Sequence, residues 1–381
     1  MRTVRLLQPK AIVFGQGCAS QCADDVLSRG LRHVFIVTSP PIVELAEPLA
    51  EALKNGHASV TIYAEIATEP TIEMFEAALR AARAAETDAV IGVGGGSALD
   101  VAKLVAALYD SEQDVREAFG INLLSARHTY LACIPTTSGT GSEVSPNAIL
   151  LDKTDQLKKG VVSPHLVPDA AYVDPLLACS LPPAITAATG VDALTHCIEA
   201  YANRFAHPTV DLYTLQGIRL IGANLVRAVE KGDDLEARAN MALGSLYGGL
   251  CLGPVNTGAV HALAYPLGGE FHIAHGVSNA VLLPHVLQFN LPAAPQRYAD
   301  VALALGVEAG ASPLETAQRG LDRIRELSRQ CGIPAGLSEL GVPVEAIPRL
   351  AESAMKVTRL LKNNLRELTA ADAEAIYRAA Y

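Results

Sequence analysis

The chain has 381 residues, half of them hydrophobic and 18% charged, with a formal net charge of −10. That length and balance fit a compact protein of more than one domain and exclude a disordered chain. The acidic total without a long basic run argues against binding along a nucleic-acid backbone.

Met1-Arg2-Thr3-Val4-Arg5 is basic, but the apolar stretches after it are broken by Gln8, Pro9 and Lys10, so no signal peptide is read there. Seven scattered cysteines, an odd number, point to a reducing, cytoplasmic setting. Cys18 and Cys22 stand one helical turn apart and match no common zinc or redox spacing.

The first half alternates short apolar runs with amphipathic stretches. Strands are expected at 33–38, 59–63, 89–93 and 130–134, with helices at 42–54, 71–85 and from 97 to 108. This alternation predicts an α/β domain with a mainly parallel sheet covered on both faces. Residues 148–151 and 159–162, flanking polar 152–156, read as a β-hairpin, and 171–173 as a last strand. After Leu181-Pro182-Pro183 the strand signal stops and helical periodicity runs from 184 to the end. An all-α C-terminal domain is therefore expected over 181–381, after an α/β domain over 1–180, the two packed closely around a cleft. Residues 241–269 hold no Asp, Glu, Lys or Arg. Their glycines, Pro254, Asn256 and His261 favour buried helices over a membrane span.

Gly94-Gly95-Gly96-Ser97 follows a strand and opens a helix. The glycines allow close backbone approach, and the helix N-terminus favours an anion such as a diphosphate. Such turns also arise for structural reasons alone. A second loop, Pro135-Thr136-Thr137-Ser138-Gly139-Thr140-Gly141-Ser142-Glu143, also follows a strand and is dense in hydroxyls. Two such loops at strand ends make a nucleotide the favoured ligand. No G-x-G-x-x-G follows the first strand, and Gly15-Gln16-Gly17 reads as a turn. The strand over 33–38 ends Thr38-Ser39-Pro40-Pro41, without the carboxylate that often binds the ribose 2′-hydroxyl in NAD sites, so NADP stands beside NAD. Ser39 joins the candidate cofactor contacts.

Asp192 and His196 are four apart on a stretch with no helix breaker, hence on one helix face. His261 and His275 flank a Gly-rich segment able to fold back. One carboxylate and three imidazoles suit Fe²⁺, Zn²⁺ or a similar ion, and these donors do not choose sharply among them. A buried histidine with a satisfied hydrogen bond and a helix-start Asp are the ordinary alternatives. Polar groups are costly in stretches this apolar, which favours the metal. His272 stands near enough to be an alternative ligand or to support one.

These segments closely resemble the iron-containing (group III) alcohol dehydrogenase family. The likeness rests on Gly94-Gly95-Gly96-Ser97 with Asp100 and Lys103, on Pro135-Thr136-Thr137 through Glu143, on Gly190-Val191-Asp192-Ala193-Leu194-Thr195-His196, and on His261-Ala262 through His275-Gly276. They fall in order and span most of the chain. The resemblance implies a dinucleotide-binding N-terminal domain and a helical metal-binding, catalytic C-terminal one. It implies the ligands Asp192, His196, His261 and His275, with His275 preferred to His272. It places Gly94, Gly95, Gly96, Ser97, Asp100, Thr136, Thr137, Ser138, Thr140, Ser142 and Lys158 at the cofactor and Asn147 at the substrate. A homodimer or higher homo-oligomer is implied as well.

Two departures stand out. Tyr265 occupies a position where many relatives carry a second histidine near the nicotinamide, and its ordinary pKa near 10 makes it a poorer proton relay. Ala274 stands where a proline often precedes the last histidine. Tyr265 and His272 are the candidates for assisting proton transfer.

The expected chemistry is reversible, metal-dependent hydride transfer between NAD(P) and a small alcohol or its aldehyde or ketone. Glycerol dehydrogenase-like and maleylacetate reductase-like activities are the near alternatives. A dehydroquinate-synthase-like cyclase would need basic residues that 241–269 lacks, and a non-catalytic metal-dependent nucleotide binder is a further class.

Overall fold

The computed structural model describes residues 2–154 and 156–381. Met1, part of the basic N-terminus, and Asp155, within the expected hairpin turn, lie outside the described residues. The chain forms two compact units. One comprises Leu7–Thr137 and Gly141–Cys179; the other comprises Ser180–Tyr381 with Met1–Leu6 and Ser138–Thr140.

The first unit runs β1 (Ala11–Phe14), α1 (Gln21–Ser28), β2 (His33–Val37), α2 (Glu47–Asn55), β3 (Ser59–Tyr63), α3 (Ile72–Ala84), β4 (Ala89–Gly94) and α4 (Gly96–Leu108). It continues through α5 (Val115–Ala118), β5 (Gly120–Ile121), β6 (Tyr130–Pro135), β7 (Asn147–Asp152), β8 (Leu157–Val162) and β9 (Ala170–Val173). Six strands form a parallel sheet in the order β1-β9-β6-β4-β2-β3. β7 and β8 pair antiparallel, and β5 joins β8 in a separate three-stranded sheet.

Side-chain alternation explains the layering. Phe35 and Val37 of β2 pack with Ile72 and Phe75 of α3 and Leu99 and Leu104 of α4. Val34 and Ile36 face the other way, toward Cys22 and Val26 of α1 and Leu49 and Leu53 of α2. A strand buried on both faces is continuously apolar, as β2 after exposed His33, β4 and β6 are. The chain moves outward from β2 to β3, then returns to place β4 on the other side of β2. The topological switch point thus lies between the carboxyl ends of β2 and β4, where open α/β sheets bind ligands.

Three expectations change. The helix over 42–54 divides into a 3-10 turn, Pro40–Leu45, and α2, because Pro48 fits only a first turn. β1 is an additional edge strand, half-buried and four residues long, and β5 is an additional strand of two residues.

The second unit has no strand among its described residues. Its helices are α6 (Pro183–Tyr201), α7 (Pro208–Glu230), α8 (Leu235–Cys251), α9 (Ala259–Phe271), α10 (His275–Asn290), α11 (Pro295–Ala304), α12 (Pro313–Gln330), α13 (Ile347–Met355), α14 (Thr358–Leu361) and α15 (Ala370–Ala379). Residues 241–269 supply most of α8 and α9, whose Met241, Val260 and Leu263 are buried in the core. No helix among the described residues is long and apolar enough to cross a membrane.

Candidate metal centre and cofactor loops

α6 starts at Pro183, whose missing N–H costs nothing in a first turn, and runs unbroken to Tyr201. It carries Asp192 and His196 on one face, 2% and 5% exposed. α9 carries His261, and α10 opens on His275 after a turn in which His272 takes a left-handed conformation. Gly276 makes the approach of α10 to α6 possible: a Cβ there would lie 2.4 Å from the Ala188 carbonyl oxygen.

One ligand atom each from Asp192, His261 and His275 lies within 4.8 Å of the others. His261 Nε2 and His275 Nε2 are 3.6 and 3.7 Å from Asp192 Oδ1. His196 stands beside this trio, its Nε2 3.0 Å from His261 Nε2. Tetrahedral bonds of about 2.1 Å give ligand–ligand edges of about 3.4 Å, so the Asp192, His261 and His275 separations fit one ion, while His196 flanks the trio from outside it.

The Nδ1 atoms of His196 and His261 are committed elsewhere. His196 Nδ1 lies 3.3 Å from the Gly139 carbonyl, and His261 Nδ1 is 2.5 Å from Glu199 Oε2. With Nδ1–H donating in each ring, the two buried Nε2 atoms meet where a shared positive charge, a proton or a metal ion, is favoured. The electrostatics agree. Burial opposes a charge on His261, but hydrogen bonds to Asp192 and Glu199 prevail and raise it to about 9. Burial would raise the Asp192 carboxyl, yet the imidazoles of His196 and His275 hold it far below the carboxylate range. Burial lowers His196. A buried pocket that draws positive charge this strongly suits a metal ion.

In the α/β unit, Gly94–Ser97 lies at the carboxyl end of β4. α4 begins there with no side-chain cap and no acid in its first turn, leaving backbone N–H groups for an anion. The second loop lies alongside: Thr136 N donates to the Gly94 carbonyl, and a Cβ on Gly95 would touch Thr137. Ser138 and Thr140 group with the helical unit instead. Ser39 follows β2 and caps no helix with its side chain.

Asp100 and Ser142 are spent inside the protein. Asp100 accepts from Ser142 Oγ at 2.5 Å and from Ile149 N at 2.9 Å. Fully buried Lys103 donates to the Ser142 carbonyl and hydroxyl and to the Asn147 carbonyl. Asn147 Oδ1 is buried without a hydrogen-bond partner among the described residues. Lys158 sits on β8 with Nζ 2.6 Å from the Glu69 carboxylate. Tyr265 is buried, its ring 6.1 Å from that of His275. His272 is exposed and outside the converging trio.

Residues 9–175 match the family described as iron-containing alcohol dehydrogenase, and residues 186–381 match the C-terminal region of the Fe-containing alcohol dehydrogenase family. The chain belongs to the iron-containing alcohol dehydrogenase family. It is 41% identical to long-chain-alcohol dehydrogenase 1 of Geobacillus thermodenitrificans, over 100% of this chain and 98% of that one. It is 35% identical to the 1,3-propanediol dehydrogenase of Klebsiella pneumoniae, over 98% of each. A solved 1,3-propanediol oxidoreductase superposes with a TM-score of 0.96 at 35% identity, covering all of both chains. As an iron-containing alcohol dehydrogenase, the chain is an NAD(P)-dependent oxidoreductase that interconverts an alcohol and its carbonyl compound by reversible hydride transfer.

Two residues of the candidate centre escaped the sequence reading. Glu199 lies three residues after His196 on α6, and Asn279 four after His275 on α10. Asn279 is fully buried, with Nδ2 2.6 Å from Asp192 Oδ1 and 3.2 Å from Nε2 of both His261 and His275. Spacing alone was the available signal, and it fits many ordinary side chains on a helix face.

Proposed function

We propose that Asp192, His196, His261 and His275 hold one Fe²⁺ or Zn²⁺ ion, and that NAD or NADP binds at Ser39, Gly94–Ser97 and the 136–142 loop. The observation that carries the metal reading is the 3.0 Å approach of two buried Nε2 atoms whose Nδ1 partners are already committed. When bound, the ion supplies Lewis acidity that lowers an alcohol's pKa and polarises a carbonyl. The nicotinamide, when bound, supplies the hydride acceptor and donor.

The protein's part is orientation, exclusion of water and handling of the proton. α6, α9 and α10 set the four side chains in place. Buried Tyr265, its ring beside that of His275, carries the hydroxyl that assists proton transfer in this reading. His272, exposed at the end of α9, would take part only from the solvent side. Asn147 lies near the substrate in this reading, its buried Oδ1 available to a ligand donor. Lys158, on the hairpin, supports the cofactor end while paired with Glu69.

The absence of a carboxylate after β2, where Ser39 stands, supports acceptance of NADP beside NAD. The lack of Asp, Glu, Lys and Arg in 241–269 supports a neutral alcohol or aldehyde, small in this reading, and the relatives' names range from a three-carbon diol to long-chain alcohols. Seven free thiols support a cytoplasmic setting, and the family resemblance supports a homodimer or higher homo-oligomer. The test is a panel of alcohols and aldehydes with NADH and NADPH, run on chelated protein reloaded with Fe²⁺ or Zn²⁺. Turnover that returns with either ion supports the reading; equal turnover in the chelated protein contradicts it.

A further inference from the structure

We infer that Glu199 is a positioning residue for the metal centre, resting on the four-ligand reading above. It is 6% exposed and has one oxygen for each of two neighbouring partners on α9. Oε1 accepts from Val260 N at 2.7 Å, and Oε2 accepts from His261 Nδ1 at 2.5 Å. The first bond satisfies one of the open N–H groups in the first turn of α9, tying that helix to α6. The second keeps the proton of His261 on Nδ1, so that Nε2 offers its lone pair toward His196 and Asp192. One carboxylate thereby fixes the position of α9, the orientation of the ring and its tautomer.

The surroundings hold Glu199 to this arrangement. Gly258 lies against it: a Cβ there would stand 3.3 Å from Oε1. Glu199 also lines a small cavity together with Asn203, Asn290, Tyr298 and Asn364 and the apolar Val286 and Leu287. Asn290 and Asn364 exchange amide hydrogen bonds of 2.7 and 2.8 Å, and Asn203 Nδ2 donates to the Glu199 carbonyl. Asn290 and Asn364 satisfy each other and Asn203 donates to backbone carbonyls, leaving the carboxylate to its two partners on α9.

A glutamine at this position keeps the shape but has one acceptor where two are needed, because its amide nitrogen would face an N–H donor. Chelated wild-type, Glu199→Gln, Glu199→Asp and His261→Ala proteins are titrated with Zn²⁺ against a competing chelator. The visible absorption of their Co²⁺ forms is recorded, and NAD(P)H binding and the thermal midpoint report the fold. Glu199→Gln is expected to bind Zn²⁺ about 10- to 100-fold more weakly, with a shifted Co²⁺ spectrum and unchanged NAD(P)H affinity. Wild-type Zn²⁺ affinity and spectrum in folded Glu199→Gln overturn the inference. If that variant does not fold, Glu199→Asp, too short to reach both partners, is judged by the same two readouts. Failure of the underlying reading looks different: His261→Ala would then bind Zn²⁺ as the wild type does.

Discussion

The Nε2 atoms of His196 and His261 lie 3.0 Å apart, with their Nδ1 atoms turned to Gly139 and Glu199. Two imidazoles so arranged repel each other in a buried site unless they share a cation. The consequence extends to the fold, because the two rings come from α6 and α9. Filling the site joins helices that are far apart in sequence, so the bound ion should raise the thermal midpoint. At a free ion concentration 100 times the dissociation constant the stabilisation is about 2.7 kcal/mol. A midpoint that does not respond to Fe²⁺ or Zn²⁺ would contradict this.

Asn279→Ala should weaken both the centre and the unloaded protein. Its Nδ2 donates to Asp192 Oδ1 at 2.6 Å, and removal leaves a buried carboxylate oxygen short of a donor. The cost is about 1–3 kcal/mol in chemical denaturation of the chelated protein, with reduced Zn²⁺ affinity in the same variant. Unchanged stability would mean that Asp192 is held by other donors.

Lys103→Met should destabilise the α/β unit by about 3 kcal/mol, because it leaves Asp100 and two carbonyls without their buried cation. Lys103 ties Ser142 to Asn147, so the loop that starts at Thr136 should loosen. The KM for NAD(P)H should rise more than kcat falls. Steady-state kinetics together with urea denaturation separate these effects.

Burial pushes the Glu143 carboxyl up to about 7, against a nearby Lys103 charge. A raised folded-state pKa means the folded protein holds a proton that the unfolded chain has lost. Stability therefore falls as pH rises from about 4.5 to about 7, then levels, for a total of about 3 kcal/mol. Glu143→Gln should remove this slope and be more stable than wild type above pH 7. Denaturation at pH 5 and pH 8 checks the sign; a wild type that gains stability over that interval relative to the variant would contradict it.

Ser39→Asp should turn the enzyme toward NADH. A carboxylate after β2 can accept from the ribose 2′-hydroxyl and repel a 2′-phosphate. The ratio of kcat/KM for NADPH to that for NADH should fall about tenfold or more, since 1.4 kcal/mol of repulsion suffices for that factor. An unchanged ratio would place the ribose elsewhere.

The long apolar runs of β2, β4 and β6 and the spacing of Asp192 to His196 could be read from residue order, because period and burial act locally. β1 could not: four half-buried residues at a sheet edge carry little pattern. Pro48 stands inside a stretch whose helical periodicity masks the break it makes. Asp100 fits a cofactor contact by position, and only the fold shows both its oxygens engaged by Ser142 and Ile149. Glu199 and Asn279 carry no signal apart from spacing, since their meaning comes from α9 and α10 folding back onto α6.

Metal stoichiometry in His261→Ala tests most directly whether four side chains hold one divalent ion. Wild-type protein, chelated and then titrated with Zn²⁺, should take up one ion per chain. His261→Ala should lose this tight binding and its turnover while still binding NAD(P)H. One tightly held ion per chain in folded His261→Ala, with activity retained, would contradict the account.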